Sequence, residues 1–256
     1  MTRRLPALLD ADPDAPFPDP ETALREPDGL LAIGGDLDPR RLLGAYANGI
    51  FPWYSQGQPL LWWSPDPRTV FATDGVRLST RFRRGLRRSD WTVAADRAFD
   101  QVVLACATAP GRGGHGTWIT EAMRAAYSAL HALGHAHSIE VLDRDGRLVG
   151  GLYGVAVGRM FFGESMFSGE SGGSKVALAA LARTLHGWGW PLIDAQLENA
   201  HLQRLGAVAF PRPGFLAEVR RLVALPGRVG PWSAEFGLPA SALATPVGAT
   251  GPSANP

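Results

Sequence analysis

Apolar positions fall at helical spacing in some stretches of this chain and at strand spacing in others, and the order of the two patterns sets the fold class. Met123, Tyr127, Leu130 and Leu133 recur every three or four residues after Thr120, which can cap a helix, and before Gly134, which can end it. Ala177, Leu178, Leu181 and Leu185 repeat that pattern after the Ser/Gly stretch from Ser168 to Gly173. Between these helices, Ser138 to Leu142 and Leu148 to Val157 read as strands joined by a hairpin turn at Asp145-Gly146. Gly158 turns into a further strand, Met160 to Ser165. Leu192 to Gln196 is a short buried strand, and Ala200 to Leu205 a short helix that stops at Gly206. Upstream, Asp38-Pro39 starts a helix that carries Leu42, Leu43 and Tyr46 and ends at Gly49.

That order predicts an α/β (α+β) fold with a central mixed sheet. Residues 1–70 read as a small N-terminal domain with aromatic and Pro-rich loops, its first 28 residues running extended over the surface. Residues 71–224 form the larger domain, and 225–256 a Pro/Ala/Gly-rich tail, disordered from Leu243 on. No internal repeat is evident.

At 256 residues the chain buries a substantial core without staples. A mean hydropathy of -0.04 and the lack of any apolar run of about 18 residues exclude a membrane-spanning helix. Asp10 and Asp12 interrupt any signal-peptide pattern, and Cys106, the only cysteine, sits in the apolar run Val102 to Ala105 as a buried thiol. The expectation is a cytoplasmic protein. His115, His135 and His137 show no metal-ligand spacing, so no metal is expected. A net charge of +1 does not by itself point to nucleic acid. Its distribution does: Arg77, Arg81, Arg83, Arg84, Arg87 and Arg88 crowd one segment edged by Asp74 and Asp90, either a phosphate patch or a solvated face.

Trp53, Trp62, Trp63 and Tyr54 lie among Pro52, Pro65 and Pro67, which stiffen the backbone around them. Trp62 and Trp63 fit a wedge between subdomains, and Trp53 a platform for stacking. Glu164 lies where a strand runs into the Ser/Gly loop, a common place for a reacting carboxylate. Asp194 and Gln196, at i and i+2 on a strand, project from one face. The amide can serve as the donor a buried Asp needs, leaving its oxygen for an incoming amine; a self-satisfied structural pair is the other reading. Ser168 to Lys175 is not a P-loop, because Ser precedes Lys and no Ser/Thr follows.

Taken together, Gly34-Gly35-Asp36-Leu37, Gly49-Ile50-Phe51-Pro52-Trp53, Trp62 to Arg68, Gly116 to Thr120, Gly134 to Glu140, Gly150 to Gly154, Gly163 to Ser168 and Leu192 to Gln196 closely resemble the bacterial leucyl/phenylalanyl-tRNA–protein transferases. The motifs stand in family order across residues 17–216. The resemblance implies that an acetyltransferase-like (GNAT) domain follows the N-terminal one. It also implies transfer of Leu or Phe, with Met as a further donor, from aminoacyl-tRNA to the N-terminal Arg or Lys of acceptor proteins, marking them for degradation. By this resemblance Trp53 and Trp118 contact the terminal aminoacyl-adenosine, Glu164 lines the site, and Asp194 and Gln196 orient and deprotonate the attacking amine. The side-chain pocket maps onto Leu152, Met166, Leu181 and Ile193, with Leu152 and Leu181 standing where the family pattern has Met and Phe. The six arginines become contacts to tRNA phosphates. No cofactor is expected, since aminoacyl-tRNA is a substrate, and a monomer is expected. An aminoacyl ester is already activated, so orientation alone can lower the barrier by about 7–11 kcal/mol. The rivals are an acetyl-CoA-dependent acetyltransferase on the same fold, which needs a pyrophosphate loop not found at Ser168 to Lys175, and a non-catalytic RNA-binding module.

Overall fold

The computed structural model describes residues 5–109 and 117–246. Its N-terminal part is a four-stranded sheet in which β1 (Ala7–Leu9) runs parallel to β2 (Leu30–Gly34). Helix α1 (Pro39–Ala47) follows, with the Asp38 side chain accepting from the Arg40 N–H and Pro39 in the first turn. Strands β3 (Phe51–Pro52) and β4 (Leu61–Trp63) complete the sheet in the order β1-β2-β4-β3. The Trp62 ring is fully buried, and its indole N–H donates to the Gly34 carbonyl at 3.0 Å. Trp62 shares one core with Tyr153, Val155 and Phe162 of the second sheet, so it joins the two parts as a wedge. Trp63 braces the loop instead, its indole donating to the Trp53 carbonyl at 2.7 Å.

The second sheet is built from β5 (Arg68–Ala72), β6 (Thr92–Ala95), β7 (Ala136–Leu142), β8 (Leu148–Val157), β9 (Met160–Ser168), β10 (Leu192–Gln196), β11 (Val208–Phe210) and β12 (Gly237–Pro239). Their order is β11-β5-β10-β9-β8-β7-β6-β12, and among the described residues only β9 and β10 pair in parallel within it. Helices α2 (Thr80–Leu86), α3 (Phe99–Thr108), α4 (Glu121–Ala132), α5 (Gly173–Gly187), α6 (Ala200–Arg204) and α7 (Arg212–Val223) cover it. Strand alternation divides the core. Tyr153, Val155 and Phe162 face α1, α3, α4 and α7, whereas Leu152, Ala156 and Phe161 face α5. Helix α5 lies close against β8 because Gly150 and Gly173 lack side chains: a Cβ on Gly150 would stand 2.4 Å from the Gly173 Cα.

The mixed α/β expectation therefore holds, and the helices and strands read from periodicity appear close to their expected bounds. Three features differ. Strand β9 continues to Ser168 instead of stopping at Ser165, which moves Glu164 from a strand end into the strand interior. Strand β5 straddles the expected boundary at residue 70 and belongs to the second sheet. Residues 225–246 are not a loose tail. Trp232 and Phe236 are buried, β12 pairs with β6, and Leu243 and Ala244 pack in the same core as α5. Widely spaced aromatics and single leucines anchor this segment, a pattern without helical or strand period. The remainder of the expected disordered segment, 247–256, lies outside the described residues, as do His115 and Gly116.

Candidate active site

The parallel pairing of β9 and β10 is short, matching only Ile193 with Phe161 and Asp194 with Phe162. After Asp194 the register of β10 against β5 shifts, and Gln196 takes a left-handed backbone at φ 60°. A non-glycine residue in that region costs about 1–3 kcal/mol and persists only where its surroundings hold it. Here the Gln196 N–H donates to Asp194 Oδ1 at 2.8 Å, and its side-chain Nε2 donates to Glu164 Oε1 at 2.7 Å. The amide of Gln196 is thus held by Glu164 and not by Asp194, contrary to the expectation from their i, i+2 spacing. The bulge breaks the strand alternation on which that expectation rested.

Asp194 has another partner. Arg68, at the start of β5, grips it with two bonds, Nε to Oδ1 at 2.9 Å and Nη2 to Oδ2 at 2.6 Å, and both side chains are fully buried. The third guanidinium nitrogen donates to the Gly49 carbonyl at 3.0 Å, and the cation lies over the rings of Phe51 and Phe215. This fork ties the N-terminal loop, β5 and β10 together. A bidentate, charge-assisted pair fixes orientation as well as position.

Glu164 receives two further hydroxyls. Tyr46 from α1 lies 2.8 Å from Oε1, Tyr127 from α4 lies 2.6 Å from Oε2, and the two phenol oxygens are 2.8 Å apart. Burial pushes the Glu164 carboxyl up to about 7, against the pull of the tyrosine hydroxyls. Burial, followed by the Glu164 charge, also holds the Tyr46 phenol well above the usual range.

Above this network lies a cleft of about 420 Å³. Glu164, Asp194 and Gln196 line it on the polar side, and Leu152, Met166, Leu181 and Ile193 on the apolar side. Trp53 and Trp118 border its mouth, Trp53 remaining 39% exposed and edge-on to Trp63. The fold therefore brings every expected catalytic and substrate-binding residue to one cavity. The arginines lie apart from it: Arg77 precedes α2 and the others sit on or just after it, all exposed except the half-buried Arg83. A second groove of about 350 Å³ is lined by Arg77, Lys175, Arg204 and His201, and His201 also lines the cleft.

Several residues join the site without a local signal in the sequence. Arg68 closes the Trp62 to Arg68 motif, and nothing near it in the chain points to Asp194. Tyr46 and Tyr127 stand at core spacing on their helices; the one available signal is that a buried tyrosine needs a partner for its hydroxyl. Lys175, His201 and Arg204 are scattered along the chain and meet only in the fold. His137, by contrast, is engaged away from the cleft: it contacts Asp96 at 2.9 Å and stacks on Trp232.

Comparison with known proteins gives a consistent pattern. Residues 70–220 match the family model described as leucyl/phenylalanyl-tRNA protein transferase, and residues 35–66 match the model of its N-terminal domain. A protein of that name from Xanthomonas euvesicatoria pv. vesicatoria (strain 85-10) is 69% identical over 234 residues, covering 91% of this chain and 93% of the relative. Another from Xanthomonas axonopodis pv. citri (strain 306) is 67% identical over 95% of this chain and 98% of its own length. A third, from Xylella fastidiosa (strain 9a5c), is 62% identical over 91% of this chain and 95% of the relative. Among solved structures, L-PGS from Bacillus licheniformis aligns at a TM-score of 0.36 and 13% identity over 66% of this chain and 53% of its own, too slight a likeness to carry an argument.

Proposed function

The chain belongs to the leucyl/phenylalanyl-tRNA protein transferase family, and from that premise we propose that its cleft transfers Leu or Phe from aminoacyl-tRNA to the N-terminal amine of an acceptor protein. One observation carries the mechanistic reading. Gln196 is held at its backbone N–H by Asp194 and at its side-chain NH₂ by Glu164, which turns the side-chain carbonyl oxygen, an acceptor, toward a ligand. That oxygen accepts from the attacking amine and aims the nitrogen lone pair at the ester carbonyl. The C–N bond forms, the bond from the carbonyl carbon to the ribose oxygen breaks, and that oxygen takes up the proton the amine gives up and leaves as the ribose hydroxyl of the tRNA. A glutamine amide is a weak base, so orientation is its main contribution.

The apolar wall formed by Leu152, Met166, Leu181 and Ile193 suits the side chain of Leu or Phe. Trp53 and Trp118 at the mouth suit the terminal adenosine, and the groove through His201 to Arg77, Lys175 and Arg204 offers a cationic path for the phosphates before it. Glu198, exposed at the rim beside Gln196, supplies a negative charge that favours acceptors beginning with Arg or Lys. One copy of the chain supplies all these groups, which supports a monomeric enzyme. No helix among the described residues is long and apolar enough to cross a membrane. We place the reaction in the cytoplasm, where it would mark acceptors for degradation. The test is direct. The protein is incubated with an Arg-initiated acceptor and, in separate tubes, labelled Leu-tRNA, Phe-tRNA or acetyl-CoA, and the acceptor N-terminus is read by mass spectrometry. Addition of a leucyl or phenylalanyl residue supports the proposal; acetylation or no addition refutes it.

A further inference from the structure

The four oxygen atoms that meet beneath Gln196 pose a proton-counting problem. Tyr46, Tyr127 and one carboxyl group make three short contacts: Tyr46 to Glu164 at 2.8 Å, Tyr127 to Glu164 at 2.6 Å, and Tyr46 to Tyr127 at 2.8 Å. Two phenols carry two protons. With Glu164 as a carboxylate, one of the three contacts is left as two oxygens facing each other without a hydrogen between them. A third proton, on the carboxyl, closes the ring: Glu164 donates to Tyr127, Tyr127 to Tyr46, and Tyr46 back to Glu164 Oε1. Each phenol then donates once and accepts once, and the carboxyl donates from one oxygen and accepts at the other. The same Oε1 also accepts from Gln196 Nε2, so the ring touches the group that faces the amine.

We propose that the Glu164–Tyr46–Tyr127 ring is the acid–base element of the transfer, taking up the proton of the attacking amine and delivering it to the leaving ribose oxygen. The inference rests on the aminoacyl-transfer reading above. The cycle starts from the open ring, the carboxylate form held by both phenols. Attack of the neutral amine on the ester carbonyl forms the C–N bond and leaves a positively charged nitrogen. Its proton passes to the Glu164 carboxylate, directly or through one water, since the carboxyl lines the cleft beside Gln196. The ring is then closed, with a proton for every contact. As the carbonyl–ribose oxygen bond breaks, Glu164 returns the proton to that oxygen and the ring reopens. No proton or electron is gained or lost over the cycle.

The surroundings tune this element for neutral pH. Around Glu164 stand Tyr46 on α1, Tyr127 on α4, Tyr153 on β8, Asp194 and Gln196 on β10, and Arg68 on β5. Burial favours the neutral carboxyl and the Asp194 charge adds to it, while the phenols and Arg68 favour the carboxylate; the balance falls at about 7. Both states are therefore populated where an α-amine, with its ordinary value of about 7.7–8.0, is itself partly neutral.

The test follows the pH dependence of single-turnover transfer from Leu-tRNA to an Arg-initiated protein in wild type, Tyr127→Phe, Tyr46→Phe and Glu164→Gln. Infrared difference spectra of the protonated carboxyl are recorded on the same proteins without substrate, and thermal melts confirm the fold. Wild type should show a limb near 7 beside the amine's own, matching a carboxyl band that titrates there. Each Tyr→Phe change removes a donor to the carboxylate and should move both limb and band to higher pH by about one unit. Glu164→Gln should abolish the band and slow transfer by about 10²–10⁴-fold while leaving the amine's own limb. An unmoved limb and band in both Tyr→Phe variants, or transfer by Glu164→Gln within about threefold of wild type, would overturn the proposal. If wild type transfers neither Leu nor Phe, the aminoacyl-transfer reading fails instead, and the infrared titration still reports whether the ring holds the proton.

Discussion

Asp194→Asn removes half of the charge on which the centre of the fold is built. Arg68 and Asp194 are both fully buried, and their two hydrogen bonds are 2.9 and 2.6 Å long. Asparagine keeps an oxygen for the Gln196 N–H but turns an NH₂ toward the guanidinium, donor against donor, and leaves the buried cation uncompensated. Breaking such a pair from one side costs about 3–5 kcal/mol. For a domain of this size each kcal/mol is worth about 2–4 °C, so the melting temperature should fall by roughly 6–20 °C. Arg68→Met should cost a similar amount, because it strands the carboxylate and the Gly49 carbonyl. The double variant should be only about as unstable as either single one, since each first change already forfeits the pair. Urea unfolding of all four proteins gives the cycle. Additive losses, with the double variant at about twice the cost of each single one, would refute a coupled pair.

Three other outcomes follow from the same geometry. Trp53→Ala and Trp118→Ala should weaken donor binding by about 1–3 kcal/mol each, and Trp53→Ala should leave stability nearly unchanged because its ring is 39% exposed; a cooperative loss of fold would return Trp53 to the core. Reversing Arg77 and Arg204 to Glu should raise KM for aminoacyl-tRNA but not for an aminoacyl-adenosine fragment, which lacks the upstream phosphates; equal losses with both donors would count against the groove. Glu164 binds its proton more tightly in the native state, with its value raised from 4.5 to about 7. Unfolding therefore releases a proton in that window, and stability should fall by about 3 kcal/mol as pH rises from 4.5 to 7, then stay level. Glu164→Gln should flatten that slope, and an unchanged slope would show that another group causes it.

Where the chain carries a strong period, the sequence was a good guide. The Thr120 cap, the hairpin at Asp145-Gly146 and the strand Leu192 to Gln196 all appear, because each rests on a local rule that tertiary packing reinforces. The cleft residues were legible mainly as motifs. Their wiring was not. Strand alternation put the Gln196 amide beside Asp194, and one bulge at Asp194 redirected it to Glu164. Arg68 lies 126 positions from Asp194, a pairing no local rule can supply. The segment around Trp232 and Phe236 read as a tail because its anchors are isolated aromatics in a Pro- and Gly-rich composition. Its burial depends on the β6 edge and the α5 face that receive it.

The central claim is that Gln196 meets the acceptor amine and not the donor. Gln196→Ala should leave the Kd for a non-hydrolysable aminoacyl-tRNA analogue within about twofold while cutting kcat for transfer by at least about 10²-fold. Asp194→Asn should act through the same group, so the double variant should lose far less in kcat than the product of the single effects. The decisive measurement is therefore single-turnover kcat and donor Kd determined side by side on Gln196→Ala, with a thermal melt on the same sample. A large loss of kcat at unchanged Kd, with a cooperative melt well above the assay temperature, is the predicted result. A loss of donor affinity that accounts for the whole effect, or a kcat close to wild type, would contradict it.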